Sequence, residues 1–324
     1  MIASRRNFLI AGAAGLAAPA LLRATPVTAK TPAAGMLTPT FHRRKLGSFE
    51  VIALLDGTLD GPPQMITGYN EETAVATLSR QHLPPAPNGL PIPVLGYVID
   101  TGSQLIAVDC GTFDGFAPRL GGYHAALTAA GIDAADIDTV LITHLHPDHI
   151  GGLIDPQGNR LFPNAQLHIG ATEWNFWHAE GTREAFPEDS RAFVDIARNY
   201  PAPYDGRIVT FNDNAEILPG VLSVPLPGHT PGHSGFRFHS DGQDLLIWGD
   251  VVHQTFLQFD NPAWTIAFDM DAEQTRKTRL KMFDMAAADG FQVAGSHIDF
   301  PGVGYVEKTS GGYRYSPAPF DYML

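Results

Sequence analysis

The sequence has a single cysteine, Cys110, in a chain of 324 residues. No intramolecular disulfide bond can form, so the stability of the folded chain must come mainly from its buried core. Cys110 ends an apolar run that begins at Leu105. That context is typical of a buried, inert thiol and not of a nucleophile.

Basic residues are scarce as well. Lys and Arg number 21 against 34 Asp and Glu, which gives a formal net charge of −13. Residues 1–29 contain Arg5, Arg6 and Arg23 and no acid, so their removal would change this charge to −13 − 3 = −16. Such acidity argues against nucleic acid or an anionic membrane surface as the partner.

The apolar run Leu9–Leu22 is too weak for a membrane-spanning helix. It is rich in Ala and Gly, contains Pro19 and is followed by Arg23, whereas a spanning helix needs roughly 20 strongly apolar residues. The pair Arg5 and Arg6 stands just before this run. An arginine pair followed by an apolar run is typical of an export signal of the twin-arginine type.

We therefore expect three segments along the chain. Residues 1–29 are predicted to be the export signal, with small residues at 27–29 as the cleavage site. Residues 30–36 are predicted to be a flexible tail, and residues 37–324 a single domain. The mature protein is expected in the periplasm or secreted, without a membrane span.

Short apolar segments separated by Gly, Pro, Asn and Asp turns dominate the rest of the sequence, which favours strands. Helices are predicted over Asp271–Ala288, where Asp271 can cap the first turn, and over about Ala117–Ala130. Strands in both halves with helices between them predict an α/β fold, a four-layer αββα sandwich of two mixed sheets. The predicted strands are Phe49–Leu55, Val94–Asp100, Leu105–Asp109, Thr139–Thr143, Gln166–Ile169, Val221–Val224, Leu245–Trp248 and Phe291–Ala294.

A cluster of metal-binding residue types directly follows the strand that ends at Thr143. It contains His144, His146, Asp148 and His149 within six residues. Imidazole and carboxylate groups suit zinc and its first-row neighbours. Burying so many of these groups without an ion would be costly, so the cluster predicts a metal site.

Three further candidates, His229, Asp250 and His297, each follow an apolar strand later in the chain. Residues at the tips of separate strands can converge at one edge of a sheet sandwich, where rigid scaffolds commonly carry their functional loops. All seven residues are therefore expected to form one site.

This series of residues closely resembles the pattern of the metallo-β-lactamase superfamily, His-x-His-x-Asp-His followed by His, Asp and His. The resemblance covers essentially the whole mature chain, and all seven positions are matched. It implies two divalent metal ions, zinc in the first place, with manganese, cobalt or iron as alternatives. It also implies ligand sets: His144, His146 and His229 for the first ion, Asp148, His149 and His297 for the second, and Asp250 as the bridge.

Departures from known subfamilies narrow the resemblance. True zinc β-lactamases lack the bridging aspartate, diiron flavoproteins carry Glu where this chain has His146, and no basic cluster is present to hold glutathione. The group most similar in order and spacing is that of methyl parathion hydrolase, next to the quorum-quenching lactonases. The segments that carry this likeness are Gly228–Ser234, Gln258–Pro262, His297–Gly304 and Gly312–Tyr315.

The resemblance thus implies a secreted dinuclear hydrolase in which a hydroxide shared by two metals opens lactones or esters or cleaves organophosphate triesters. Asp148 is the candidate for relaying the proton. Alternative enzymes are an iron-dependent sulfur dioxygenase, a glyoxalase II-like thioester hydrolase and a β-lactam hydrolase, and a metal-binding protein without turnover is the alternative of another class. The expected partner is a small apolar ester, lactone or phosphotriester, and a homodimer is compatible with the sequence.

Similarity to the methyl parathion hydrolase group also implies an aromatic pocket wall of Phe116, Trp174, Trp177 and Phe193. His253, three residues after Asp250, is a further candidate for the wall. The alternative is an ordinary histidine that lies at the surface or has its hydrogen bonds satisfied away from the pocket. His233 is expected to support the ligands from behind or to be structural, since its loop already supplies His229.

Overall fold

A computed structural model describes residues 40–322 of the chain. The predicted export signal, residues 1–29, and the predicted tail, residues 30–36, lie outside the described residues. All described residues fall within the predicted domain, residues 37–324.

Seven strands form the first sheet. In order across the sheet, they are β1 (Phe41–Leu46), β2 (Phe49–Leu59), β4 (Ile92–Asp100), β5 (Leu105–Val108), β6 (Thr139–Ile142), β7 (Gln166–Gly170) and β8 (Ile208–Phe211). The first four of these strands pair antiparallel, whereas β5 to β8 run parallel to one another. Parallel strands end at the same edge of a sheet, so the loops that leave β5, β6 and β7 lie side by side.

A second sheet also has seven strands. In chain order, they are β9 (Glu216–Leu218), β10 (Val221–Pro225), β11 (Ser234–Ser240), β12 (Gln243–Ile247), β14 (Gln292–Ala294), β15 (Val303–Thr309) and β16 (Gly312–Pro317). This sheet is antiparallel except where β12 pairs with β14. β3 (Ile66–Thr67) and β13 (Thr265–Ile266) form a separate two-stranded sheet.

The longest helix, α8 (Ala272–Asp289), begins where the Asp271 side chain accepts a hydrogen bond from the Gln274 N–H and ends before Gly290. The other α-helices are α1 (Glu71–Arg80), α2 (Tyr123–Ala129), α3 (Pro147–Ile150), α4 (Ala171–His178), α5 (Thr182–Ala185), α6 (Arg191–Asn199) and α7 (Thr255–Gln258). Single 3₁₀ turns cover Pro63–Met65, Ala134–Asp136, Gly151–Leu153, Glu188–Ser190, Ala202–Tyr204 and Gly249–Val251.

Three apolar clusters define the layers. The central cluster joins first-sheet residues such as Leu141 to second-sheet residues such as Phe236, so it lies between the sheets. A second cluster packs the outer face of the first sheet against α2, α4 and α6, and a third packs the second sheet against α8, as in the contact of Trp248 with Phe283. The order is helices, sheet, sheet, helix, which confirms the predicted αββα sandwich.

One predicted helix is shorter than expected. Instead of Ala117–Ala130, α2 covers only Tyr123–Ala129. The Asp56 carboxylate accepts hydrogen bonds from the N–H groups of Gly121 and Tyr123, so the chain before Tyr123 is held as a loop against β2. Among residues 40–322, no helix is long and apolar enough to cross a membrane.

Candidate metal centre

The loops that leave strands β6, β10, β12 and β14 bring the seven expected ligand residues together. Three overlapping groups of side chains have ligand atoms within 4.8 Å of one another; two of them contain the seven expected ligands, and the third joins His253 to Asp250 and His297. The first contains His144, His146, His229 and Asp250, and the second contains Asp148, His149 and His297. Donors to one ion with bonds near 2.1 Å lie at most about 4.2 Å apart, and the individual distances within the two groups, 3.0 to 3.7 Å, are shorter than that.

In the first group, three imidazole nitrogens face one another. Nδ1 of His146 lies 3.0 Å from Nε2 of His144 and 3.0 Å from Nε2 of His229. Oδ2 of Asp250 lies 3.1 Å from the same nitrogen of His229 and 3.7 Å from that of His144. A tetrahedral ion with bonds of about 2.05 Å spaces its donors by about 3.3 Å, so the arrangement fits one divalent metal.

In the second group, Oδ2 of Asp148 lies 3.4 Å from Nε2 of His297 and 3.7 Å from Nε2 of His149. The two groups are joined by Asp250, whose Oδ1 is 3.2 Å from Nε2 of His149. Its Oδ2 lies 3.1 Å from Nε2 of His229 in the first group and 3.2 Å from Nε2 of His297 in the second. Asp250 therefore contacts both groups and is placed to bridge two ions.

Unsatisfied atoms support the same fit. Nε2 of His149 and Oδ1 of Asp250 are both buried and have no hydrogen-bond partner, although they lie 3.2 Å apart. Buried polar atoms without partners are rare and costly in folded proteins. A cation between these two atoms would satisfy both, so the cluster fits two divalent metal ions.

Hydrogen bonds on the far side of the rings orient the ligand histidines. Nδ1 of His149 lies 2.8 Å from Oδ2 of Asp109, and Nδ1 of His229 lies 2.8 Å from Oδ1 of Asp269. Nδ1 of His297 lies 2.7 Å from the carbonyl oxygen of Pro93. In each case an oxygen acceptor holds the proton on Nδ1 and leaves Nε2 free to bind a metal.

Sequence reasoning missed Asp109 and Asp269. Asp109 directly follows the buried strand β5 and also accepts hydrogen bonds from the Thr143 N–H and hydroxyl. Its place after an apolar strand is the same signal that identified Asp250. Asp269 stands on an irregular segment after β13, where the sequence offered no such signal.

His233 supports the backbone of Asp250. Its Nδ1–H donates to the carbonyl of Leu226, and its Nε2 accepts from the Asp250 N–H at 3.1 Å. Both nitrogens are thus used, which leaves none for a metal. Gly249 allows this contact, because it has φ +53 and a Cβ there would lie 2.6 Å from Nε2 of His233.

His253 is buried beside the centre. Its Nε2 lies 3.1 Å from Oδ2 of Asp250, and its ring stacks on that of His297 with a centroid separation of 4.8 Å. Its Nδ1 is buried without a partner. A bare lone pair at Nδ1 costs less than an unpaired N–H, which favours the neutral ring that donates Nε2–H to Asp250.

The electrostatics of the cluster favour cations. Burial, and then the neighbouring His149, hold the pKa of His144 well below its usual 6.5, which keeps this imidazole in the neutral form that binds metals. Burial also opposes a charge on His229, but the carboxylates of Asp250 and Asp269 raise its pKa to about 9. The potential that raises this pKa would equally attract a metal ion.

A cavity of about 410 Å³ opens onto the centre. Of the residues expected in its wall, it has Phe116, Trp177, Phe193 and His253, and its other apolar contacts come from strand ends, turns and loops that sequence reasoning did not single out. These further apolar residues are Leu59, Met65, Ile92, Pro147, Phe186, Pro187, Ile266, Ala267, Phe268 and Met270.

Trp174 was expected in the cavity wall, but it is not among the residues that line the cavity. On α4, Glu173 and Trp177 are one turn apart and share the buried face, whereas Trp174 is rotated by about 100° from Glu173. The Trp174 ring instead stacks on His178, one turn later, at a centroid distance of 3.7 Å.

The fold and the cluster together define a metal-dependent hydrolase. The chain belongs to the metallo-beta-lactamase superfamily, whose sequence profile matches residues 89–291.

Among solved structures, the hydrolase AbOPH of the beta lactamase superfamily is 29% identical and superimposes with a TM-score of 0.82, over 87% of this chain and 98% of that one. AidC, a dizinc quorum-quenching lactonase bound to N-hexanoyl-L-homoserine, is 25% identical with a TM-score of 0.79 and the same coverage. A probable metallo-hydrolase of Mycobacterium tuberculosis is 29% identical over 38% of this chain, and the match spans 39% of the length of that relative.

Proposed function

We propose that this protein is a two-metal hydrolase of uncharged, apolar lactones and carboxylic esters, with neutral organophosphate triesters as secondary substrates. The observation that carries the proposal is the composition of the cavity wall. Aromatic and aliphatic side chains such as Phe116, Trp177 and Phe193 surround a space of about 410 Å³ that ends at the metal cluster. Such a wall binds apolar groups by removing their surface from water.

The charges of the wall favour a neutral substrate. Among the described residues that line the cavity, no Lys or Arg occurs, and the charged side chains are Asp148, Asp250 and Asp269. Glutathione thioesters, β-lactams and RNA all carry carboxylates or phosphates and would meet no basic side chain there. The proposal therefore leaves out thioester, β-lactam and RNA cleavage.

In this proposal, His144, His146 and His229 hold the first ion, Asp148, His149 and His297 hold the second, and Asp250 contributes an oxygen to each. When bound, the ions would polarise the carbonyl or phosphoryl oxygen and make a water molecule nucleophilic near neutral pH. Zinc is the proposed metal, which agrees with the donor set of imidazole and carboxylate and with the similar dizinc lactonase.

Asp148 is the proposed proton carrier. It lines the cavity, and its side chain is 16% exposed, whereas those of His149 and Asp250 are 0% and 2% exposed. A carboxylate at the mouth of the centre can take the proton released by the attacking water and give it to the leaving oxygen. The partly exposed wall residues Phe116 and Phe193 would hold the acyl or aryl group and exclude bulk water, whereas Trp177 is fully buried and would support the wall.

We further propose that the protein acts in the periplasm or outside the cell, exported by residues 1–29 through the twin-arginine route. The acidic chain is not expected to bind nucleic acid, and a homodimer is compatible with the proposal. A substrate that crosses membranes unaided, as small apolar esters and lactones do, would suit that location.

The test is a substrate panel with the metal-loaded protein: acyl-homoserine lactones, aryl carboxylic esters, dimethyl aryl phosphorothioates, a penicillin and S-lactoylglutathione. We expect the neutral lactones and esters to be hydrolysed with the highest kcat/KM and the two anionic substrates to be hydrolysed poorly or not at all. Preferred hydrolysis of either anionic substrate would contradict the proposal.

A further inference from the structure

Glu173 is a fully buried carboxylate with four hydrogen-bond donors. Oε1 accepts from the Leu145 N–H at 2.9 Å and from Nε1–H of Trp177 at 2.6 Å. Oε2 accepts from the Thr230 hydroxyl at 2.6 Å and from the Gly232 N–H at 3.1 Å. Four donors directed at two oxygens match an ionised carboxylate, since a protonated acid would have to place its own hydrogen among them.

These donors belong to the parts of the chain that hold the first metal group. Leu145 stands between His144 and His146, while Thr230 directly follows His229. Gly232 follows three residues after His229. The remaining donor, Trp177, forms part of the cavity wall. One carboxylate therefore ties together both ligand loops of the first group and the adjoining side of the substrate cavity.

The backbone is built to bring these segments close together. A Cβ on Gly232 would lie 2.1 Å from the backbone nitrogen of Glu173, so only glycine permits this approach of the His229 loop to α4. Glu173 lies in the first turn of α4, where the N-terminal end of a helix favours a negative charge.

We propose that Glu173 is a positioning residue of the first metal site, which sets the spacing between His144, His146 and His229. The proposal depends on the proposed assignment of these histidines to the first ion. Glu173 itself is not in the ligand set. Its carboxylate fixes the backbone on either side of the ligands, so that their nitrogens keep separations of 3.0 Å.

The second group is held by other residues. His149 is oriented by Asp109 and His297 by the carbonyl of Pro93, and none of these contacts involves Glu173. A defect at Glu173 should therefore be selective for one ion. A general loss of folding would weaken both.

Glu173→Gln is the most direct test, because glutamine has the same shape but replaces one acceptor oxygen by an NH₂ group, which cannot accept from the donors that face it. Metal affinities would be measured by competition with a chromophoric chelator, first with Zn²⁺ and then with Co²⁺, whose visible absorption reports its ligands. We expect one of the two sites to weaken by about 10- to 100-fold, the range found when a residue that orients a metal ligand is lost. The other site should be unchanged.

Two further variants distinguish a loss of ligand positioning from a general loss of folding. Thr230→Val removes only one of the four donors and should weaken the same site by a smaller factor. Asp56→Asn is the matched control, because Asp56 is also a buried carboxylate, with donors from Thr112, Gly121 and Tyr123, but it contacts neither metal group. Both sites should keep their affinity in this control.

The outcomes separate this inference from the proposed function. A wild-type protein that binds no metal would overturn both. If the wild type binds two metals, equal binding by Glu173→Gln, or an equal loss at both sites, would overturn the positioning role alone. If the control Asp56→Asn weakens the same single site, the positioning role would also be overturned, because the loss of any buried carboxylate would then have the same effect.

Discussion

Nδ1 of His149 donates a hydrogen bond of 2.8 Å to Asp109, and this contact decides which nitrogen of the ring faces the second metal group. Asp109 has both oxygens engaged, since Thr143 donates to it through its N–H and its hydroxyl. A carboxylate outside the ligand set thus links the end of β5 to the loop after β6 and fixes the tautomer of a ligand.

Asp109→Asn should lower the affinity of the second metal site by about 10- to 100-fold. The two carboxylate oxygens of Asp109 accept three hydrogen bonds, whereas asparagine has only one acceptor oxygen. Competition titration with a chelator measures both sites in one experiment. Combined with Glu173→Gln, this substitution should lower the affinity for metal at both sites. Wild-type affinity at both sites in Asp109→Asn would mean that the hydrogen bond does not orient His149.

Phe193→Ala should raise KM for a bulky aryl ester about tenfold with little change in kcat. Removing part of an apolar wall loses about 1.4 kcal/mol of binding that is the same for substrate and transition state. Trp174→Ala is the matched control, since Trp174 lies on the neighbouring helix α4 but outside the wall. A similar rise in KM for the control would contradict the assignment of the wall.

His168 makes a prediction about acid stability. It lies in β7, it is buried, and neither ring nitrogen has a hydrogen-bond partner among the described residues. Burial lowers its pKa below the usual 6.5, so the unfolded chain binds the proton more tightly than the folded one. Above pH 6.5 the ring is neutral in both states and has no effect on the pH dependence. As the pH falls below 6.5, the unfolded chain takes up the proton first, so the free energy of unfolding decreases.

His168→Leu should remove this loss. Urea unfolding of the metal-free protein between pH 8 and pH 5 would show a smaller fall in the free energy of unfolding for the variant, by at most about 1.4 kcal/mol per pH unit. Identical pH profiles would show that the ring gains a proton at no cost in the folded state.

Export by the twin-arginine route predicts that Arg5→Lys combined with Arg6→Lys leaves an active, unprocessed protein in the cytoplasm. Fractionation of cells followed by immunoblotting and an esterase assay on each fraction would measure it. Normal processing and periplasmic activity of this double variant would rule out the proposed route.

Much of the architecture followed from patterns that are local in the sequence. Strands β2, β4, β6 and β12 are apolar runs bounded by turns, and α8 carries its own cap at Asp271, so each could be predicted within a few residues. Strand β11 (Ser234–Ser240) was not among the predicted strands, although Phe alternates with Gly, Arg and His along it. It is held by backbone pairing with β10 on one side and β12 on the other.

The metal cluster could also be predicted from local patterns, since four of its members lie within six residues and the others follow apolar strands. Of the residues that hydrogen-bond to the ligands or to their backbone, Asp109 follows an apolar strand as Asp250 does, but its partner could not be inferred from the sequence, and Glu173 and Asp269 have no such signal. Asp109, Glu173 and Asp269 act through contacts with residues 40, 28 and 40 positions away, and single-sequence patterns carry no information on such pairings. Trp174 was misplaced because an aromatic residue on a helix gives no sign of which face is buried.

The most direct test of the central claim is a metal titration of hydrolysis. The purified protein would be stripped with a chelator, then supplied with Zn²⁺ while metal content and kcat for a neutral aryl ester or acyl-homoserine lactone are measured on the same samples. We expect no turnover without metal and full turnover at two ions per chain. Hydrolysis that persists without metal, or two bound ions without hydrolysis of any neutral ester or lactone, would contradict the account.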